Sequence, residues 1–384
     1  MDEHAPDRRK VILVGPTSPP YTGMAAAFNT LVEGMRERRI AHDVVDLTRT
    51  GTLQGVSLGR VVQYVRILSA YLGSMASGRG TVYITIAQSR QGFFRDMVMI
   101  HIASVFGHRV VLHLHGGAYD RFYEEQPPWL RKLIRSTLLK ADSVLVLSER
   151  LKKMFDFEPA LESRLRVVQN GLPFGAAGRA ARQTKRLPGP GEPIRILYLS
   201  NLIESKGYLD LLEAVSILTG RHGLNVICDF CGLFLPHRDD RRLKGADGRK
   251  VFDEFVKNNR LEKIAVYRGP VTGDGKRELL EKAHFFVLPT GYDNEGQPIS
   301  IIEAMAHGCV IVSTDYRAIP DMVEDGATGR LVARGNPEAI ADAIREISSD
   351  PERYEKMSAA AMRLYEAKFT REAYIDRLIP AIVN

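Results

Sequence analysis

The stretch Phe285-Phe-Val-Leu-Pro-Thr-Gly-Tyr-Asp-Asn-Glu-Gly-Gln-Pro-Ile-Ser-Ile-Ile-Glu-Ala-Met-Ala-His-Gly308 places an apolar run, a polar loop and a helical pattern end to end. Phe285–Pro289 reads as a buried strand, and the residues up to Gly308 as the body and end of a helix. Glu295 therefore falls in a strand-to-helix loop, and Glu303 about two turns further on within the helix. Gly296 and Gln297 lie between them, with backbone N–H groups at the helix mouth. Such a mouth carries unpaired N–H groups and a partial positive charge, which suits a phosphate. Carboxylates do not bind phosphate, but they accept hydrogen bonds from sugar hydroxyls. Two glutamates around an anion-binding helix mouth point to a ligand with both groups, as in a nucleotide sugar. On their own, the same glutamates also read as a solvated loop residue and a surface helix residue facing a Lys or Arg.

The chain has 384 residues, more than one ordinary core accommodates, which indicates two domains. No apolar run reaches the roughly 18 residues that a membrane-spanning helix needs. The N-terminal Met1-Asp-Glu-His-Ala-Pro-Asp-Arg-Arg-Lys10 lacks the apolar core of a secretion signal. Three cysteines argue against a disulfide framework and fit a reducing cytoplasm. Cys228 and Cys231 lie three apart in a strand pattern, so they face opposite sides and read as core residues rather than metal ligands. Charge is uneven: residues 1–190 hold 27 Lys+Arg against 16 Asp+Glu, and residues 191–384 hold 26 against 30. A basic half beside a mildly acidic one implies an anionic partner, such as a membrane surface or a phosphorylated acceptor. No nucleic-acid-binding motif is present.

Strand and helix patterns alternate along both halves. Strands are expected at Val11–Gly15, Asp43–Leu47, Thr81–Ala87, Arg109–Leu114, Ser143–Leu147 and Arg166–Gln169. A Pro- and Gly-containing loop, Pro16–Met24, follows the first, and a helix runs from about Ala25 to Arg38. A Gly-, Ala-, Pro- and Arg-rich stretch, 174–193, reads as a linker. The pattern restarts with strands at Ile194–Leu199, Asn225–Phe230, Ile264–Arg268, Phe285–Leu288 and Val310–Ser313, and a helix from about Lys206 to Thr219. Helices over about 337–349, 351–368 and 371–383 close the chain. This alternation means parallel sheets in an α/β fold of two doubly wound domains. The domains are expected at 1–173 and 194–370, with residues 371–384 joining the first. Ligands of such sheets bind beyond the C-terminal strand ends, so a cleft between the domains is the expected site.

The distinctive residues fall at those ends. Gly23 precedes the first helix. His115 follows a strand in His113-Leu-His-Gly-Gly117 and is placed to donate a hydrogen bond or move a proton, whereas His113 reads as packed. Lys206 lies at the mouth of the next domain's first helix, where an ammonium can neutralise a diphosphate but is disfavoured by the helix dipole. Gly269-Pro-Val271 follows another strand.

This combination resembles the family 4 retaining glycosyltransferases of the GT-B fold, over nearly the whole chain and most strongly over residues 194–335. Glu295 and Glu303, with seven residues between them, match the paired-glutamate motif of that family. The runs Glu303–Gly308 and Val310–Thr314, the pair Ile319-Pro320 and the segment Gly326–Leu331 follow its pattern too. The resemblance implies two Rossmann-like domains facing each other across a cleft, and transfer of a sugar from a nucleotide-diphosphate sugar with retention. It implies that Glu295 binds the transferred sugar, Glu303 the ribose, and Lys206 the diphosphate. Gly296, Gln297 and Ile299 would offer backbone N–H groups, Gly23 would approach the diphosphate, His115 would lie near sugar and acceptor, and Gly269–Lys276, with Val271, would flank the base.

Two positions depart from the family. Asn201, in Ser200-Asn-Leu202, stands where an arginine usually lies beside the leaving phosphate, and Pro298 stands where many relatives have glycine and removes an N–H donor.

No Asp-x-Asp metal motif occurs in a suitable loop, and Asp239-Asp240 reads as solvated, so no metal and no cofactor are expected beyond the co-substrate. The basic, amphipathic Trp129–Lys140 segment reads either as a sheet-packed helix or as one lying on an anionic bilayer. The expected acceptor is a glycan or lipid-linked molecule in cell-surface polysaccharide or glycoconjugate synthesis. The expected location is cytoplasmic, with peripheral contact at the inner face of the plasma membrane. Other readings of the same fold are a nucleotide-sugar 2-epimerase and a catalytically silent nucleotide-sugar-binding protein.

Overall fold

A computed structural model describes residues 10–17, 23–48, 58–76, 78–172, 184–238, 240–243 and 245–384. The first nine residues, 18–22 of the first loop, 174–183 of the linker stretch and Asp239 lie outside the described residues. The chain divides into two units, 1–173 with 371–384, and 174–370.

The N-terminal unit is built on β1 (Val11–Gly15), α1 (Gly23–Glu37), β2 (His42–Asp46), α2 (Leu58–Met75), β3 (Thr81–Thr85), α3 (Arg90–Val105), β4 (Arg109–His113), α4 (Tyr119–Glu124), α5 (Pro128–Leu138), β5 (Ser143–Val146) and β6 (Leu165–Val167). Its sheet runs β2-β1-β3-β4-β5-β6, parallel throughout. The C-terminal unit contains β7 (Ile194–Leu199), α6 (Tyr208–Gly220), β8 (Val226–Cys231), α7 (Gly248–Asn258), β9 (Ala265–Gly269), α8 (Gly273–Lys282), β10 (Phe285–Leu288), α9 (Ile299–Ala306), β11 (Val310–Thr314), β12 (Gly329–Val332), α10 (Pro337–Ser348) and α11 (Pro351–Lys368). Its sheet, β12-β11-β10-β7-β8-β9, is also parallel. These are the two parallel sheets that the alternation implied. Strand β12 has no expected counterpart, because Gly329 and Arg330 break its apolar run and only pairing with β11 makes it a strand.

The closing helix α12 (Arg371–Val383) packs in the N-terminal unit. Tyr374, Ile375, Leu378 and Ile382 join Val11, Leu13, Phe28, Leu31, Met35 and Tyr83 in one core cluster. Gly34 of α1 permits this approach, since a Cβ there would come within 2.8 Å of Ile375. Arg371, only 8% exposed, makes a paired contact with the Glu37 carboxylate at 2.9 and 2.8 Å, which offsets the desolvation of its guanidinium. Helix α5 buries Leu130, Ile134 and Leu138 within its unit, whereas Trp129 stays 62% exposed. Cys228 and Cys231 are both buried.

Parallel pairing sets all strand ends of the C-terminal unit facing one way, so the loops after β7 and β10 are neighbours. Lys206 is not in the first turn of α6. It closes a single 3-10 turn, Glu204–Lys206, and Gly207 then turns left-handed at φ 79° before α6 starts at Tyr208. The glycine is required twice over, because a Cβ there would lie 2.3 Å from the Pro289 carbonyl oxygen. Gly207→Ala is expected to destabilise the protein by about 2 kcal/mol or more, read from chemical denaturation, and an unchanged midpoint would contradict this account of the turn.

Candidate functional site

The loops after β7 and β10 are joined by a backbone hydrogen bond, Gly291 N–H to Ser205 C=O at 2.7 Å. The turn carrying Lys206 is held from its other side. The Glu204 carboxylate accepts the N–H groups of Arg241, Arg242 and Leu243 at 2.8–2.9 Å. Lys206 is thus aimed by its backbone. Its Nζ donates to Ser200 Oγ at 3.1 Å, lies 3.2 Å from Glu295 Oε2, and sits 5.0 Å from the centre of the Tyr292 ring.

Glu295 is 7% exposed. Thr290 Oγ1 donates to the same Oε2 at 3.2 Å, and Thr290 Oγ1 also accepts the Tyr292 N–H at 3.1 Å. Both contacts fall on one oxygen, so Oε1 has no hydrogen-bond partner among the described residues. A buried carboxylate in this state is charge-compensated by Lys206 and still able to accept a hydroxyl.

Glu303, also 7% exposed, sits inside α9 and pairs with Lys276 Nζ of α8 at 2.5 Å. It is therefore neither solvated nor on the surface. Pro298 caps α9 from outside and its carbonyl accepts the Ile301 N–H at 3.1 Å, so Ile299 opens the helix and the N–H groups of Ile299 and Ser300 are left without intrahelical acceptors. Gly296 and Gln297 are buried just before it.

Asn201 is exposed, and its Oδ1 accepts the Leu233 N–H at 3.4 Å, so it fastens the loop after β8 rather than supplying charge. Gly269 ends β9 with φ 72°, and its carbonyl accepts the Gly232 N–H at 2.9 Å. Val271 is half-buried just before α8. Lys206, Glu295 and the start of α9 come together, and Glu303 is tied instead to Lys276. Thr290, Tyr292 and Ser200 were not expected at the site. The positions of Ser200 directly after β7 and of Thr290 two residues after β10 could have signalled them.

Gly23 and His115 belong to the N-terminal unit. Gly23 is the exposed first residue of α1. His113 is fully buried with Nδ1 2.7 Å from Tyr83 Oη, as its packed reading required. The His115 ring lies 4.1 Å from that of His113, and both of its nitrogens lack partners among the described residues. Gly116 is needed beside it, since a Cβ there would strike the Gln88 amide that binds the Ala118 N–H. Burial pushes His115 down to about 4 and His113 well below its usual value, so both are neutral at neutral pH. Among the described residues no three His, Cys, Asp or Glu side chains are grouped to hold a metal ion, and no helix is long and apolar enough to cross a membrane.

Two doubly wound units, each on a parallel six-stranded sheet, have the architecture of the GT-B fold. Residues 181–363, just under half of the chain, match the family model of glycosyl transferases group 1. The chain is 27% identical over 205 residues to the putative colanic acid biosynthesis glycosyltransferase WcaL of Salmonella typhimurium, covering 52% of this chain and 47% of that one, about half the relative's length. It is 24% identical over 317 residues to GDP-mannose:cellobiosyl-diphosphopolyprenol alpha-mannosyltransferase of Xanthomonas campestris, covering 78% of each. The fold superposes on Anabaena Alr3699/HepE, solved with UDP-glucose, at a TM-score of 0.66 and 14% identity, covering 97% and 98%.

The depressed histidines give a pH test. A group whose folded pKa lies below its unfolded value of about 6.5 adds stability above that pH, and the stability is lost as pH falls towards the folded pKa. His115 is expected to titrate near pH 4 in a 13C-detected histidine NMR titration of the folded protein. A midpoint near the free value would show that the ring is not desolvated.

Proposed function

We propose that this protein is a retaining glycosyltransferase that moves a sugar from a nucleotide-diphosphate sugar to a glycan or lipid-linked acceptor in polysaccharide or glycoconjugate synthesis. The observation that carries the reading is Lys206 and Glu295 paired beside the opening turn of α9. In this reading the leaving diphosphate takes the Lys206 ammonium and the N–H groups of Gly296, Gln297 and Ile299. That fixed positive field stabilises the charge growing on the departing oxygen, and the reaction is proposed to need no metal. Glu295 Oε1 accepts hydroxyls of the transferred sugar and orients its anomeric carbon. Glu303 releases Lys276 to hold the ribose hydroxyls, and Gly269 and Val271 flank the base. In the N-terminal unit, His115 offers two uncommitted ring nitrogens to a ligand as a neutral hydrogen-bonding group, and Gly23 offers a bare backbone at the start of α1.

The names of the relatives support the substrate class. One is named as a putative colanic acid biosynthesis glycosyltransferase, one is named for GDP-mannose and a cellobiosyl-diphosphopolyprenol acceptor, and the structural neighbour holds UDP-glucose. A cytoplasmic enzyme that meets a lipid-linked acceptor works at a membrane surface. The basic N-terminal half and the exposed Trp129, Phe94, Val98 and Phe106 suit an anionic bilayer.

Incubation with a panel of nucleotide sugars and candidate acceptors separates transfer from epimerisation and from binding alone. Glu295→Ala is expected to lower transfer by roughly 100-fold or more with an unchanged circular dichroism spectrum, while the wild type keeps full activity in excess EDTA. Near-normal turnover of the variant would remove Glu295 from the site, and activity lost in EDTA but restored by Mg²⁺ would end the metal-free proposal. The protein should float with anionic liposomes at low salt and be released by added salt. Failure to float would sink the membrane contact.

A further inference from the structure

Arg334 lies in the turn after β12, at the same end of the sheet as Lys206. Its guanidinium has neither a carboxylate nor a hydrogen-bond partner among the described residues. Three other cations at these strand ends are engaged with carboxylates: Lys206 with Glu295, Lys276 with Glu303 and Arg268 with Asp229.

Arg334 is nevertheless held in place. Its Cζ lies 4.4 Å from the centre of the Tyr316 ring, and Tyr316 Oη is anchored by donating to Asp293 Oδ1 at 2.6 Å. Arg317 borders the same ring at 5.5 Å in a left-handed backbone conformation, φ 49°. The Arg334 side chain lies over Gly291, where a Cβ would meet its Cδ at 3.2 Å and the Ser205 carbonyl oxygen at 3.7 Å. A side chain at 291 would press on the Arg334 stem, and glycine leaves that seat clear. Gly291 is also the residue whose N–H binds Ser205, next to Lys206. Two cations are thus mounted on one loop junction, and Asn201 brings no third.

We propose that Arg334, seated on Tyr316 over Gly291, is a subsite for a phosphoryl group. A guanidinium stacked on an anchored ring is a pre-oriented fork, suited to two phosphate oxygens at little entropic cost. Its phosphoryl group comes from the donor diphosphate, where it supplies charge that Asn201 does not, or from an acidic acceptor. Only this choice of source rests on the transferase reading.

Calorimetric titration of the full chain with sodium pyrophosphate tests the subsite directly. Arg334→Gln is expected to weaken pyrophosphate binding about tenfold, and Arg334→Lys to recover only part of the loss. Arg334 is exposed, and an unchanged thermal midpoint confirms that each variant folds. Displacement of pyrophosphate by UDP or GDP identifies the donor as the source. Simultaneous binding with an Arg334-dependent pyrophosphate site identifies the acceptor. Unchanged pyrophosphate affinity in Arg334→Gln, or no binding by the wild type, overturns the proposal. Should neither UDP nor GDP bind the wild type while pyrophosphate binding still depends on Arg334, the nucleotide-sugar reading fails and the subsite stands.

Discussion

The hydrogen bond from Gly291 N–H to Ser205 C=O holds the site of the C-terminal unit together. It forms because β7 and β10 are adjacent and parallel, so the loops leaving them run side by side. Gly207 lets the first loop lie against the Pro289 carbonyl, and Gly291 lets Arg334 lie over the second. With the backbones locked, Lys206 reaches Glu295, and Thr290 and Tyr292 fall in place around the pair. A side chain at Gly207 would push the two loops apart, whereas one at Gly291 would first meet Arg334.

Burial then dictates which polar groups can exist there. Glu295 and Glu303 are nearly excluded from water, where an unpaired charge is costly to bury. The fold provides a cation for each, Lys206 from the turn before α6 and Lys276 from α8. Both pairs are exchangeable contacts rather than sealed ones: Glu295 keeps one oxygen uncommitted, and Lys276 is about one-third exposed. In the N-terminal unit the same desolvation works on neutral groups. His113 spends its Nδ1 on Tyr83, while His115 is kept neutral and unspent at the end of β4.

Much of this was legible in the residues. The alternation of strand and helix patterns announced two parallel sheets, and most strand positions lay within a residue or two of those expected. The Glu295 and Glu303 spacing survives as two buried carboxylates at either end of one helix start. Other features had no local signature. Strand β12 carries glycine and arginine and becomes a strand only by pairing with β11. Lys206 looked like a first-turn lysine because nothing in Glu204-Ser-Lys-Gly207 tells a 3-10 turn from a helix start. The partner of Glu303 comes from a helix 27 residues away in the chain, which periodicity cannot supply. Arg334 is an ordinary turn residue until Tyr316 and Gly291 are seen beneath it.

By itself, the sequence determined which segments are strands and helices, which loops sit at strand ends, and which charged residues those loops carry. These are local properties, set by side-chain period, glycine and proline placement, and helix capping. Tertiary structure alone decided which charges meet: Lys206 with Glu295, Lys276 with Glu303, and Arg334 with an aromatic ring instead of a carboxylate. The physical reason is that pairing depends on distance and dielectric. Both are fixed only when strands distant in the chain align and exclude water from the groups between their ends.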